Sequence, residues 1–424
     1  MSQNVKSSYV LSQVIFSLYV VFFISLAFSF NFFSSVSVGL ILVVGLIKNK
    51  IENKPLIDPN AKNLFLIACS LYYLFQIVSL LYTHNKEETL IQLRIKSALL
   101  FVPFALCAIS YINPINREKL LFTFCFILFA ASLYCLCQNS WSYFQHHDSS
   151  VFFFHSLVNP IHQHAVFFSI YIFISLLFLF EGGRAVLNRS FQIFLIVYFS
   201  FFLLLLSSKL VIVFYLIYLF YYAITVLLKQ KRNRPVAFAI IAGGIITFVL
   251  LGTTRNPVSN RFTEILNTDM QLVKQDKFNP GIYFNDVQFR IIEWKFVKEI
   301  VSENDRWWSG VSPGEGQSYL NKKYIQKNIY TGELSRGDKG FLGYNTHSEL
   351  CESFLQSGIP GALLFLLIIA GLIKIALKKR NRSLSFIIIL LIAFSQIESV
   401  FETQYAIMLF TFFPLFLSLN EKPE

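Results

Sequence analysis

The chain has 424 residues, 55% of them hydrophobic and 14% charged, with 48 Phe and a formal net charge of +12. A soluble domain of such length is about a quarter charged and spreads its apolar residues in short periodic runs, so an ordinary soluble fold is excluded. The basic excess is that of loops holding a membrane topology, not of a nucleic-acid surface, and no nucleic-acid partner is expected.

Twelve apolar runs follow one another at about 9–28, 32–47, 63–83, 97–112, 120–137, 164–180, 191–206, 210–228, 236–252, 359–377, 384–397 and 403–418. Lys6 precedes the first, but no small-residue cleavage site closes it, so it reads as a retained helix. Several runs are shorter than the roughly 20 residues of a perpendicular span and borrow flanking residues. With the N-terminus inside, the cytoplasmic loops collect 19 basic and six acidic residues, against 17 and 18 on the other side. That asymmetry is what the positive-inside rule demands. The expectation is an all-α, polytopic membrane protein of about twelve transmembrane helices with both termini cytoplasmic. Residues 1–252 then hold helices one to nine, 253–347 a long external segment, and 348–424 the last three helices.

Cys69, Cys107, Cys125, Cys135, Cys137 and Cys351 lie in or beside apolar runs without a CxxC pair, and read as small buried hydrophobes. In this topology His84, His146, His147, His155, His162, His164 and His347 all face outward. His162 and His164 stand where the chain re-enters the membrane, placed to line a substrate cleft. The histidines from 146 to 164 lack the regularly spaced acidic or thiol partners of a metal site.

The external segment carries three of the four Trp, and loops this long between spans are commonly functional. Val287, Ile291, Trp294, Val297 and Val301 repeat at helical spacing, so an amphipathic helix is predicted there, packed on the bundle or laid along the headgroups. Arg290, near its start, either pairs with Glu293 one turn on or serves a site. Gly310-Val-Ser-Pro-Gly314-Glu-Gly316 lacks the Lys-Ser/Thr of a phosphate loop and reads as a structural turn. Arg336-Gly337-Asp338 is a tripeptide expected by chance. Thr346 and Glu349 have capping-box spacing, which starts a helix with His347 in its first turn. The positive helix end disfavours imidazolium, so His347 is either a neutral proton acceptor or a residue that only lines the helix end. His347 and Cys351 alone do not make a metal site.

His347-Ser348, nine further residues and Gly358-Ile-Pro-Gly361 resemble the His-Asn/Ser/Gln-x9-Gly-x-x-Gly signature of the O-antigen ligases. Arg290-x-x-x-Trp294 followed by Gly310-Val311 to Gly314 resembles the arginine helix and glycine turn of the wider O-antigen ligase and polymerase superfamily. One departure stands out: members commonly carry Thr/Ser-x-Ser-Arg at a tight turn between two spans, where this chain has Ser207-Ser208-Lys209, which keeps the charge and loses the planar fork.

The resemblance implies a GT-C-like, metal-independent glycosyltransferase of the bacterial inner membrane, with its long loop in the periplasm and membrane lipids around it. The donor would be a glycan on undecaprenyl diphosphate and the acceptor lipid A core or a growing glycan. It assigns the base role to His347; the cations expected to bind the departing diphosphate are the catalytic Arg290 and Lys209, with Arg255 and Arg261 in reserve. No nucleotide, redox cofactor or metal is implied. Ligation to lipid A core leads, with a polysaccharide polymerase or a protein O-oligosaccharyltransferase as alternatives. A secondary transporter is the rival of another class; the spans as drawn keep charged residues out of their middles, which counts against it.

Overall fold

The computed structural model describes residues 3–56, 63–109, 114–181, 188–229, 234–253, 270–333 and 337–419, and no strand occurs among them. Its longer helices are α1 (Gln3–Ala27), α2 (Asn31–Ile51), α3 (Asn63–Val78), α4 (Lys86–Lys96), α5 (Ala98–Cys107), α6 (Pro114–His146), α7 (Phe154–Val158), α8 (Ala165–Glu181), α9 (Arg189–Leu205), α10 (Lys209–Tyr222), α11 (Arg234–Thr253), α12 (Asp286–Glu303), α13 (Gly316–Gln326), α14 (Glu349–Lys379), α15 (Arg382–Ser395) and α16 (Gln404–Leu417). Among the described residues seven helical stretches are long and apolar enough to cross a membrane, an eighth if the bent pair Phe154–Ile161 and Ala165–Glu181 is one span, and four shorter apolar helices accompany them. Each of the twelve apolar runs falls on one of these. The chain is a polytopic helical membrane protein.

One expectation about the spans fails. The fourth stretch runs Lys86–Cys107, starting well before residue 97 because the Asn85 side chain accepts a hydrogen bond from Glu88 N at 3.1 Å and caps it. Lys96 therefore lies in its middle, fully buried. Cys137 also departs from the sequence reading, since it is exposed.

Two compact units make up the chain: Met1–Val44 with Tyr111–Leu266 and Asn420–Glu424, and Gly45–Ser110 with Asn267–Leu419. In the first, α6 packs on α1 and α8, and α8 on α9 and α10. The ring of Phe124 contacts Phe23 at 4.8 Å and Tyr171 at 6.0 Å. Apolar on every side, α8 is buried along nearly its whole length. The chain bends by 83° on entering it, with His162 in the left-handed region at φ 53°. There Gln163 donates to the Leu26 carbonyl and Asn139 to the Leu157 carbonyl at 2.8 Å, which satisfies backbone that a lipid phase could not. The tight turn before α10 is present, with Ser207 and Ser208 buried and Lys209 opening the helix.

In the second unit α14 runs along α3 and α16 along α5. The helix predicted between the ninth and tenth apolar runs is α12, and of its predicted stripe Val297 and Val301 are buried in the core with Ile291 partly packed against it, while the rest of that core comes from another set of residues. Phe289, Ile292, Phe296, Val297, Ile300 and Val301 face inward, against Leu320 and Tyr324 of α13 and Leu355 of α14. Both stripes are apolar in sequence, and the wider rings of Phe289 and Phe296 win the core because they remove more surface from water. Trp294 is left 37% exposed. The question of headgroups or bundle is thereby answered for α12: its apolar face packs on protein.

The glycine turn is structural, as its sequence suggested, and the reason is now visible. Helix α14 breaks at Gly358, at φ 62° and ψ −157°, and the 307–312 segment docks into the break. Val311 N donates to Leu355 O at 2.9 Å, Ser312 N to Gln356 O at 3.1 Å, and Ile359 N to Trp307 O at 2.7 Å. A Cβ on Gly358 would lie 2.3 Å from Trp307 O, and one on Gly310 2.2 Å from Ser357 N. Both glycines also have positive φ, so side chains are excluded twice over.

Candidate functional site

Helix α12 begins with a capping box that the sequence spells as Asn285-x-x-Gln288. Asn285 Oδ1 accepts from Gln288 N at 3.0 Å, and Gln288 Oε1 accepts from Asn285 N at 2.9 Å. With its start fixed, three side chains of α12 reach one loop, residues 345–348. Trp294 Nε1 donates to the Thr346 carbonyl at 3.0 Å. Glu293, with no exposed surface, lies 3.1 Å from His347 Nδ1 through Oε2. Arg290 lines the same cavity as His347, about 260 Å³ in volume, with Tyr283, Phe284, Phe289, Phe341 and Tyr344 among its walls.

The loop itself differs from the capping box expected at Thr346. Ser348 caps α14, accepting from Cys351 N at 3.5 Å, and Glu349 is turned inward to accept from Phe401 N at 2.8 Å. His347 thus precedes the helix rather than standing in its first turn, in the left-handed region at φ 45°. A non-glycine residue there costs of order 1–3 kcal/mol and persists only where its surroundings hold it.

Electrostatics at His347 also run opposite to the expectation from the helix end. Burial works against the charged ring, but the hydrogen bond and charge of Glu293, helped by Glu398, outweigh it and raise the pKa above the usual 6.5, while Arg290 pulls the other way. Burial likewise raises the Glu293 carboxyl, held back by His347, Tyr324 and Arg290. In this pair the proton is placed on the imidazole, because a carboxyl group has the lower ordinary pKa of the two. A carboxylate accepts hydrogen bonds only, so Nδ1 carries the proton and Nε2 is left as the acceptor. This is the way a carboxylate orients a catalytic histidine and stabilises the imidazolium that forms.

Among the described residues no hydrogen bond or ion pair joins Arg290 to Glu293, although its charge bears on that carboxyl. The glutamate is occupied by His347 and by Tyr324 OH at 3.2 Å, and Arg290 Nε is buried with no hydrogen-bond partner among the described residues. A buried guanidinium donor without an acceptor, at the edge of a cavity, is what an anion would satisfy. Sequence reasoning named Glu293 only as one open partner for Arg290, and missed Glu398, on the turn between α15 and α16, whose charge acts on both His347 and Arg290. Periodicity carries no signal for either.

The structure brings Arg290 and His347 together within one unit. Lys209, His162 and His164 belong to the other unit, and Arg255 and Arg261 lie outside the described residues. His164 packs against the His155 ring at 4.4 Å and that of Phe167 at 5.1 Å, while His162 is exposed. Among the described residues no group of three His, Cys, Asp or Glu is arranged to hold a metal ion.

Comparison with known proteins adds a second, independent line. No curated protein matches the chain. Residues 194–366 match the family model described as O-antigen ligase, a stretch that takes in the Lys209 turn, the Arg290 helix, the glycine turn, His347 and the Gly358 break. That stretch holds each of the motifs that the fold joins around His347, and its match supports placing residues 194–366 in the O-antigen ligase superfamily.

Proposed function

We propose that the protein transfers a glycan from undecaprenyl diphosphate to a hydroxyl of an acceptor, most directly lipid A core, at the outer face of the bacterial inner membrane. In this reading the twelve apolar helices are all spans, both termini are cytoplasmic, and residues 253–347 are periplasmic. The observation that carries it is the pairing of Glu293 with His347, whose ring lines one cavity with Arg290.

The acceptor hydroxyl oxygen attacks the anomeric carbon while His347 Nε2 takes its proton. The bond from that carbon to the diphosphate oxygen breaks, and its electron pair leaves with the lipid diphosphate. Negative charge grows on the leaving group as the bond lengthens, so Arg290, with no acceptor of its own for Nε, binds it more tightly in the transition state than in the ground state. Lys209, Arg255 and Arg261 are further cations proposed for the diphosphate. The carrier is already activated, so the transfer calls for no nucleotide.

The test is the surface polysaccharide of a deletion strain carrying His347→Ala. Loss of the lipopolysaccharide ladder with accumulation of lipid-linked polymer is expected. A single repeat on the core instead assigns polymerisation, an unmodified pilin or lipoprotein assigns protein glycosylation, and an intact ladder removes His347 from the chemistry.

A further inference from the structure

A second set of polar side chains, none of them used in the transfer above, lies beneath the His347 loop. Lys96, fully buried in the middle of a candidate membrane span, contacts Glu402 Oε1 at 2.9 Å and donates to Gln356 Oε1. With its oxygen held by the lysine, the Gln356 amide nitrogen points to Glu402 Oε1 at 2.8 Å and Glu352 Oε1 at 2.7 Å. The other Glu352 oxygen accepts from Thr346 Oγ1 at 2.8 Å and Thr346 N at 3.2 Å. Thr346 has no exposed surface and is the residue before His347.

Every polar group of Thr346 is therefore fixed: its N–H and hydroxyl by Glu352 from below, its carbonyl by Trp294 from α12. Ser399 adds contacts at 3.3 Å to the Thr346 hydroxyl and to Asn345 Oδ1, and Asn345 Oδ1 accepts from His347 N at 3.0 Å. This is the over-determination that a left-handed histidine requires. Buried ions within a span are costly, and a core of apolar residues would serve packing at least as well. What the ions supply is direction: lysine, amide and carboxylate each allow one arrangement of the next, ending at the backbone that aims the imidazole.

We infer that Lys96, acting through Gln356 and Glu352 on Thr346, positions His347 for the transfer. This rests on the reading of His347 as the base, so the experiment carries its own control. The full-length chain is expressed in the deletion strain as Thr346→Val, Thr346→Ser, Glu352→Gln, the charge-neutral pair Lys96→Met with Glu402→Gln, and His347→Ala. Ladder intensity is read beside protein amount and melting temperature in detergent. Valine matches threonine in shape and lacks only the hydroxyl. Thr346→Val is expected to lower transfer roughly tenfold or more at unchanged amount and melting temperature, since a displacement on the order of 1 Å at a reacting group costs up to about a hundredfold. Thr346→Ser is expected to restore it, while Glu352→Gln and the neutral pair lose the ladder with the chain still folded. A normal ladder in Thr346→Val overturns the inference. So does a ladder that falls only in step with folded protein and is not rescued by serine. If His347→Ala also keeps its ladder, the base assignment falls with it; if only Thr346→Val keeps it, the base assignment stands and the positioning role alone is lost.

Discussion

Two histidine-bearing regions of this protein look alike in sequence and differ in structure. At the entry to α8, the rings of His155 and His164 pack edge-on against each other, His155 tilted on Phe154 and His164 edge-on to Phe167, at centroid separations of 3.9 to 5.1 Å. Ahead of α14, His347 faces a carboxylate that has no exposed surface and a guanidinium with a spare donor. The place of His162 and His164 where the chain re-enters the membrane made the first region attractive as a cleft. A single histidine with a charge on either side is what makes the second the proposed site, because proton transfer depends on what holds Nδ1 and what stabilises the opposite charge.

The sharpest way to break this contrast is to remove both kinds of histidine. His347→Ala is expected to cost about 10² to 10⁴ in transfer, the usual worth of a general base. The double change His162→Ala and His164→Ala is expected to cost far less, measured on the same gels or with purified protein and lipid-linked donor. Equal losses would dissolve the distinction. Next in size comes Arg290→Ala, expected to lose about 10² to 10³ in turnover if it stabilises a developing anion. Arg290→Lys should fall between, since the ammonium keeps the charge and gives up the guanidinium fork.

The contrast also shows where sequence reading stops. The helical class, the apolar runs and the motifs that hold Arg290, His347 and the glycines were legible, because hydropathy, a short motif and turn residues are local signals. The capping box Asn285-x-x-Gln288 was equally local and went unread. Glu293 was visible only as an open partner for Arg290, since one-turn spacing on a helix says nothing about a loop 54 positions later. The Lys96 network was out of reach: it joins residues up to 306 positions apart, and the lysine fell outside the apolar window that seemed to define its span.

Gly358→Ala addresses the scaffold that carries the second region. Its positive φ alone costs an alanine about 1–2 kcal/mol, and the contact with Trp307 O adds to that. A lower melting temperature with partial loss of transfer is expected, and an unchanged one would mean the break in α14 is not held by the 307–312 segment.

The smallest effect is the most diagnostic, because it reads the Glu293–His347 pair directly. The base must be neutral to accept a proton, and the folded protein holds its pKa above 6.5, so transfer should rise with pH through a midpoint above that of free imidazole. The groups bearing on the ring are Glu293 and Arg290 from α12 and Glu398 from the turn after α15. Glu293→Gln removes the principal raising influence and leaves burial and Arg290, which lower the value, opposed only by Glu398. The acid limb should therefore move to lower pH, while the plateau falls because an amide does not stabilise the imidazolium formed in the transition state. Linkage gives a second readout of the same sign. A folded pKa above the unfolded one contributes stability that is complete below about pH 6.5 and is lost as pH rises through the folded value, so Glu293→Gln should weaken the dependence of the melting temperature on pH in that window. An acid limb that stays in place, or moves upward, would show that the carboxylate only packs beside the ring and that the proton affinity of His347 is set elsewhere.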